Sequence, residues 1–372
     1  MAFYADKDYS EDQEVLGMMN EVMAGNLGLR WYNANTEKIK GKPSNPERGL
    51  TYQDLDIGTY GYTDIPEYVR TSQSMVARGS DKSIGKLPDM GYVVNRKSDV
   101  WSDNVTELYE ESKARRWAPA TDIPWGALGE KPVAEPLEAA CAQLYTFLQE
   151  CQLVSLDFPS RWVALINQDF IEQKSFMCAQ MLDASRLLEV FRKRALYGGA
   201  GMKRASVSAE QCLKEWLWAE TYPQGSVSIN LALAGLLLNI YRQVAAFAPT
   251  TTDRALLGYA MQDSGRWVSY GTGCLRYHLE HQPGQRVSMH EYLDESEHAM
   301  LGIIGSPELL EPLIIISGGG FEKDQIKAGR DSVSRFIKLA VQEYFERLDY
   351  AGLEGRAHRS RIPHVLERIQ VA

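Results

Sequence analysis

From Glu135 to Tyr350 the chain is written almost entirely in segments whose apolar residues recur every three or four positions. That spacing lines apolar side chains along one stripe of an α-helix, and it decides the fold class before anything else is considered. The pattern predicts helices from Pro136 to Leu156, stopping before Pro159, and from Pro159 to Leu196, with a break around Asn167. It predicts others over Ala209–Thr221, Val227–Ala248, Asp253–His281 and Met289–Leu301, and a last one over Gln325–Tyr350 after the Ser317–Gly320 stop. Strand signals are scarce. The expectation is an all-α protein.

Residues 1–130 read differently, with Gly, Pro, Asp and Ser turn signals such as GKPSNPERG and IGKLPDMG and only one short helix, VTELYEESKARRW. An irregular stretch of that length is seldom free-standing, so it is expected to wrap the helical body or a second subunit. The division that follows is an arm (1–130), a helical body (131–320) and a C-terminal helix with a basic tail, GRAHRSRIPH (321–372).

Forty basic against 49 acidic side chains give a net charge of −9, which argues against a nucleic-acid partner. Five cysteines (Cys141, Cys151, Cys178, Cys212, Cys274) form no C-x-x-C pair and read as reduced core thiols of a cytoplasmic protein. The acidic start, MAFYADKDYSEDQE, lacks the order of a secretory leader. The most apolar stretch, Val227 to Phe247, is interrupted by Asn230, Asn239, Arg242 and Gln243 and reads as a core helix, with no membrane span expected.

One phrase occurs twice, 80 residues apart: Asp183-Ala184-Ser185-Arg186-Leu187 and Asp263-Ser264-Gly265-Arg266-Trp267. The frame is D-x-x-R followed by a large apolar residue, and an Asp-to-Arg link along a helix would explain it alone. With TDIPW ahead of the first body helix, FLQE within it, QMLDASRLLEVFRKRAL in the second and YAMQDSGRWVSYG in the fifth, the stretch from Ala120 to His281 resembles the ferritin-like diiron-carboxylate oxygenases. These include ribonucleotide reductase small subunits, bacterial multicomponent monooxygenases and arylamine oxygenases. The resemblance implies a four-helix bundle core carrying extra helices. It also implies D-E-x-R-H motifs in which Glu and His, three apart on one helical face, bind iron, with a lone Glu on each of the other two helices.

Set in that frame, the iron-binding positions fall on Glu150, Ala184, Leu187, Asn230, Ser264 and Trp267, while the supporting Asp183, Arg186, Asp263 and Arg266 keep their types. Of the six, only Glu150 offers a carboxylate. A cavity lined with unpaired carboxylates is costly once metal is gone, and Ala, Leu and Trp remove that cost. The resemblance therefore implies a chain without a cofactor of its own. Its partner would be a homologous ferritin-like subunit holding the iron, as the ligand-less β subunits of multicomponent monooxygenases pair with a ligand-bearing α subunit; a homodimer is the other possible assembly.

Rival readings come from other residues. Glu150 with Glu220 or His278 could hold a single metal as an active non-haem iron oxygenase, although pairing of Glu150 with Arg186 or Arg266 is the simpler expectation. Four of six histidines cluster at His278, His281, His290 and His298, and Glu295 with His298 has one-turn spacing; H-E-Y-L-D lacks the second His of H-E-x-x-H, however, and an acidic surface helix accounts for the run. The loop YGGAGMKR is assigned to a helix connection, and no nucleophile elbow supports a hydrolase.

Overall fold

The computed structural model describes residues 9–26, 41–55, 65–69, 78, 90–199 and 201–369. The chain divides into two units, one formed by 1–97 with 163–174 and the other by 98–162 with 175–372. Much of the expected arm lies outside the described residues.

In the first unit, helix α1 (Gln13–Met23) starts at Asp12, whose carboxylate accepts from the Glu14 and Val15 amides at 3.1 and 3.4 Å. The stretch around Asn167 is anchored by a parallel bridge between Val94 and Ile166. Asn167 Nδ2 also donates to Asn95 Oδ1 at 2.8 Å. These contacts hold the chain open between two long helices, which accounts for the break foreseen at Asn167. That bridge and another between Tyr68 and Arg96 are the whole of the β pairing among the described residues.

Helices dominate the second unit: α2 (Val105–Ala114), α3 (Glu135–Val163, its last residue in the first unit), α4 (from Ile171 to Leu196, its first four residues in the first unit), α5 (Val207–Leu217), α6 (Tyr222–Ala246), α7 (Thr251–His281), α8 (Arg286–Ile304), α9 (Pro307–Gly318), α10 (Lys323–Tyr350) and α11 (Ile362–Ile369), besides single turns. Pro159 does not end the first body helix as expected. It is buried inside α3, which continues to Val163. The unforeseen α9 begins with Pro307 at its first position, where a missing N–H costs nothing, and ends at Gly319 in the left-handed region (φ 77°), the stop read from SGGG. Thr221 with Gln224 forms a capping box for α6, and Thr250 Oγ1 accepts from the Asp253 amide at 3.0 Å to start α7.

Four of these helices make the core. Phe191 of α4 packs between Tyr145 of α3 and Tyr241 of α6, with ring centroids 5.8 Å away in each case. Phe158 of α3 stacks on Tyr222 of α6, and Phe176 of α4 lies 4.7 Å from Tyr270 of α7. Helix α6 is long and apolar enough to cross a membrane by composition, but 72% of its most apolar window is buried within the protein, as expected of a core helix. Its residues Val227–Leu233 wind as a π-helix, and α7 comes so close there that a Cβ on Gly271 would lie 2.8 Å from the Asn230 backbone.

Residues 98–125, expected within the arm, run back along α7 in the opposite direction. His278 Nδ1 meets Ser98 O at 3.0 Å, Tyr270 donates to Val100 O at 2.7 Å, and Asn104 donates to Ser269 at 2.9 Å. Further along, Gln262 donates to Arg115 O at 2.8 Å and Thr252 to Pro124 O at 2.6 Å. This part of the arm wraps the helical body itself.

Candidate functional site

The repeated D-x-x-R phrases meet in the middle of the bundle. Asp183 and Arg186 on α4 face Asp263 and Arg266 on α7, and all four are buried. Arg266 Nη2 donates across the helix pair to Asp183 Oδ2 at 2.8 Å and along its own helix to Asp263 Oδ1. Arg186 Nη2 likewise bonds Asp183 Oδ1 on its own helix and reaches Asp263 Oδ2 at 3.4 Å. The result is a crossed square with no net charge, the condition under which buried ions are tolerable. Burial, and after it the facing Asp263 carboxylate, hold the Asp183 carboxyl above its ordinary range.

Trp117, which sequence reasoning did not single out, closes one side of the square. Its Nε1 donates to Asp263 Oδ2 at 2.9 Å, and its carbonyl accepts from Arg186 Nη1 at 3.0 Å. The ring lies 4.9 Å from the Arg186 guanidinium and stacks on Tyr259. A Trp beside the turn leading into PATDIPW was the available signal.

The inward faces of α4 and α7 carry Ala184, Leu187, Ser264 and Trp267, all at most 1% exposed. Trp267 Nε1 is buried without a hydrogen-bond partner. Asn230, in the π-helical stretch of α6, is fully buried and its side chain is taken up by neutral groups: it accepts from Gln180 Nε2 at 2.8 Å and donates to Ser226 at 3.3 Å.

Glu150 stands apart from these five. On α3 it lies about 200° round the helix from the buried Leu148, and it is only half-buried, facing the Ser206 end of α5 together with Glu210 and Glu308. Desolvation is the main reason its carboxyl is raised to about 7, and Oε2 has no hydrogen-bond partner. The expected pairing with Arg186 or Arg266 is absent, because both arginines are committed to Asp183 and Asp263. The positions near Glu150 that do point inward are Cys151 and Gln152, both fully buried. Gln152 donates to the Tyr241 hydroxyl at 2.9 Å, and burial pushes the Cys151 thiol far up, so it stays protonated. Only the helical phase of α3, set by its buried face, could have pointed to Gln152.

The other candidate ligands are scattered. Glu220 is exposed. His278 is buried against Ser98 O and lies 3.5 Å from Asp99, while the exposed His281 stacks on Tyr277. Glu295 and His298 are exposed on α8, in a cleft of about 490 Å³ that also takes in Glu215, Asp294, Arg356 and Arg359. His290 is partly buried, which together with Arg356 lowers its affinity for a proton. Among the described residues no three His, Cys, Asp or Glu side chains come together as a metal-holding group.

Arg356, from the expected basic tail, is fully buried on α8. It grips Glu297 through Nε at 2.9 Å and Nη2 at 2.8 Å, and also reaches Asp294 at 2.8 Å. Tyr344 donates to the same Glu297 at 3.1 Å. The tail is thus part of the body.

A bundle of four long helices with paired D-x-x-R phrases at its centre has the ferritin-like fold. Its architecture is similar to that of solved variants of an R2-like ligand-binding oxidase reconstituted with a Mn/Fe cofactor. Two of these give TM-scores of 0.51 and 0.50 at 16% and 18% identity, each covering 67% of this chain and 94% of the other. A third gives 0.51 at 17% identity, covering 68% and 95%. No family model and no curated protein sequence matches the chain. The donor set here, an amide already bonded, a hydroxyl, a methyl, an isobutyl and an indole, does not fit a Mn/Fe or diiron centre, which takes carboxylates and imidazoles.

Proposed function

We propose that this chain is a metal-free ferritin-like subunit that stabilises or completes an oxygenase assembly, in which a homologous partner holds the iron and activates dioxygen. The observation that supports this most directly is the content of the bundle interior. Ala184, Leu187, Ser264 and Trp267 occupy the inward faces where the motif would place ligands, while the surrounding Asp183, Arg186, Asp263 and Arg266 stay as a self-neutralising square. Packing has taken the place of coordination, and the scaffold has been kept. The neutral pairing of Asn230 with Gln180 agrees with this, since neither amide needs a cation.

The reading of an active single-metal oxygenase built on Glu150, Glu220 and His278 has no support in the geometry. Glu150 faces Glu210 and Glu308, Glu220 faces solvent, and His278 is engaged by Ser98 and Asp99. The test is elemental analysis of the chain purified alone after expression with added iron and manganese, beside co-expression with a ferritin-like homologue that has intact motifs. The proposal expects sub-stoichiometric metal in the chain alone and a stable complex with the homologue. Near-stoichiometric metal, lost on Glu150→Gln, would refute it.

A further inference from the structure

Hydroxyls on the long helices mostly turn back on their own backbone. Thr146 and Ser155 on α3, Ser185 on α4 and Thr272 on α7 each donate to the carbonyl four residues earlier, at 2.7, 3.1, 2.8 and 2.8 Å. Ser264, fully buried on α7, does not: its Oγ has no hydrogen-bond partner. One turn further along the same face the Trp267 indole N–H has none either, and on α3 the same is true of Gln152 Oε1. Folded proteins bond most of their buried polar groups, so three orphans on the inward faces of one bundle call for a common cause.

The Tyr241 hydroxyl on α6 joins two of them. Gln152 Nε2 donates to it at 2.9 Å, which leaves the oxygen of the same amide close by and unused. Ser264 comes up to that hydroxyl from α7 without completing a bond of ordinary geometry. Burial holds Tyr241 well above the usual phenol range, so its hydroxyl keeps a proton to give. The junction thus offers an acceptor at Gln152, a donor at Tyr241, a hydroxyl of either kind at Ser264 and a donor at Trp267. A cation would be opposed by the N–H and an anion by the amide oxygen. The charges of Asp183, Arg186, Asp263 and Arg266 already cancel, and an unpaired ion in a buried site is costly. The occupant that fits is small, neutral and able both to donate and to accept. Ala184 and Ser264, short side chains where the motif would place glutamates, favour the same small size. Water has these properties, and buried waters make about three bonds to polar groups that the protein leaves unpaired.

We infer that the bundle interior binds an ordered water molecule held by Gln152, Tyr241, Ser264 and Trp267, in the part of the fold where ferritin-like oxygenases hold metal. The inference rests on the metal-free reading of this chain, and a high-resolution crystal structure of the full chain tests the two separately. The expected result is a peak that refines as water within about 3.2 Å of both Gln152 Oε1 and Ser264 Oγ. No density between these side chains overturns the water site alone. A metal ion there, identified by its anomalous scattering, overturns the water site and the metal-free reading together. Oxygen-17 magnetic relaxation dispersion, which counts waters held inside for longer than the protein takes to tumble, gives the test in solution. Ser264→Val sets a methyl group against the water and lowers the dispersion amplitude by the contribution of one molecule. An amplitude equal to that of the wild type, in a variant whose circular dichroism shows it folded, overturns the inference.

Discussion

Removing one corner of the buried charge square gives a measurable loss whose size follows from its contacts. Asp263 is fully buried and receives Arg266, Arg186 and the Trp117 indole. Asp263→Ala leaves two buried guanidinium groups sharing only Asp183, a net positive charge in the core. Breaking a buried pair by deleting one partner costs about 3–5 kcal/mol. The orphaned Trp117 N–H adds roughly 1–3 kcal/mol, the cost of an unsatisfied buried donor. Part of each is recovered by relaxation, so a loss of about 4–6 kcal/mol is expected. Urea unfolding at neutral pH, followed by circular dichroism and Trp fluorescence, measures it. A second variant isolates the charge contribution: Asp263→Ala combined with Arg266→Met restores neutrality and should regain about 1–3 kcal/mol relative to the single variant. If Asp263→Ala costs under about 1 kcal/mol, or if the second substitution adds its own full loss, the square is not a coupled unit and the account of the core is wrong.

Trp267→Ala should cost about 3–5 kcal/mol in the same assay, because a ring 1% exposed leaves a cavity that helices held by the charge square close only in part; a loss under about 1 kcal/mol contradicts its placement. Arg356→Ala should cost about 3–5 kcal/mol and free the C-terminal tail to protease, since Glu297 would be left buried without its partner. For Glu150, the folded-state pKa of about 7 lies above the ordinary 4.5, so the folded protein holds a proton the unfolded chain has already released between those values. Stability therefore declines as pH rises from 4.5 to 7 and levels off beyond, and Glu150→Gln should flatten that decline; an unchanged slope counts against the buried carboxyl.

The fold was legible because α3, α4, α6 and α7 each keep an apolar stripe, and the repeated D-x-x-R phrase marked α4 and α7 as related helices. Asp183 with Arg186 and Asp263 with Arg266 bond along their own helices, as the three-residue spacing suggested, and the same four side chains also pair across the two helices. Local rules failed where distant contacts outweigh them. Pro159 signals a stop, yet its position in α3 is buried among core residues and the helix passes through it. Glu150 was placed by counting from the motif, but the count does not fix helical phase, and a shift of one or two residues turns a side chain from the interior to the flank. Trp117 and Arg356 escaped notice because their partners lie 146 and 59 residues away in sequence, and nothing in their own neighbourhood marks those contacts.

The antiparallel course of residues 98–125 along α7 also grades the loops that its contacts close. Its bonds join residues 128 apart at Thr252, 147 at Gln262, 165 at Ser269, 170 at Tyr270 and 180 at His278. Closure entropy rises with the length of chain enclosed, so the Pro124 end is the cheapest place for the first contact. The gradient is shallow, about 0.3 kcal/mol between the Pro124 end and the Ser98 end. A chain emerging from the ribosome holds 98–125 long before α7 exists, and this stretch must wait, unpaired, for the helix that receives it.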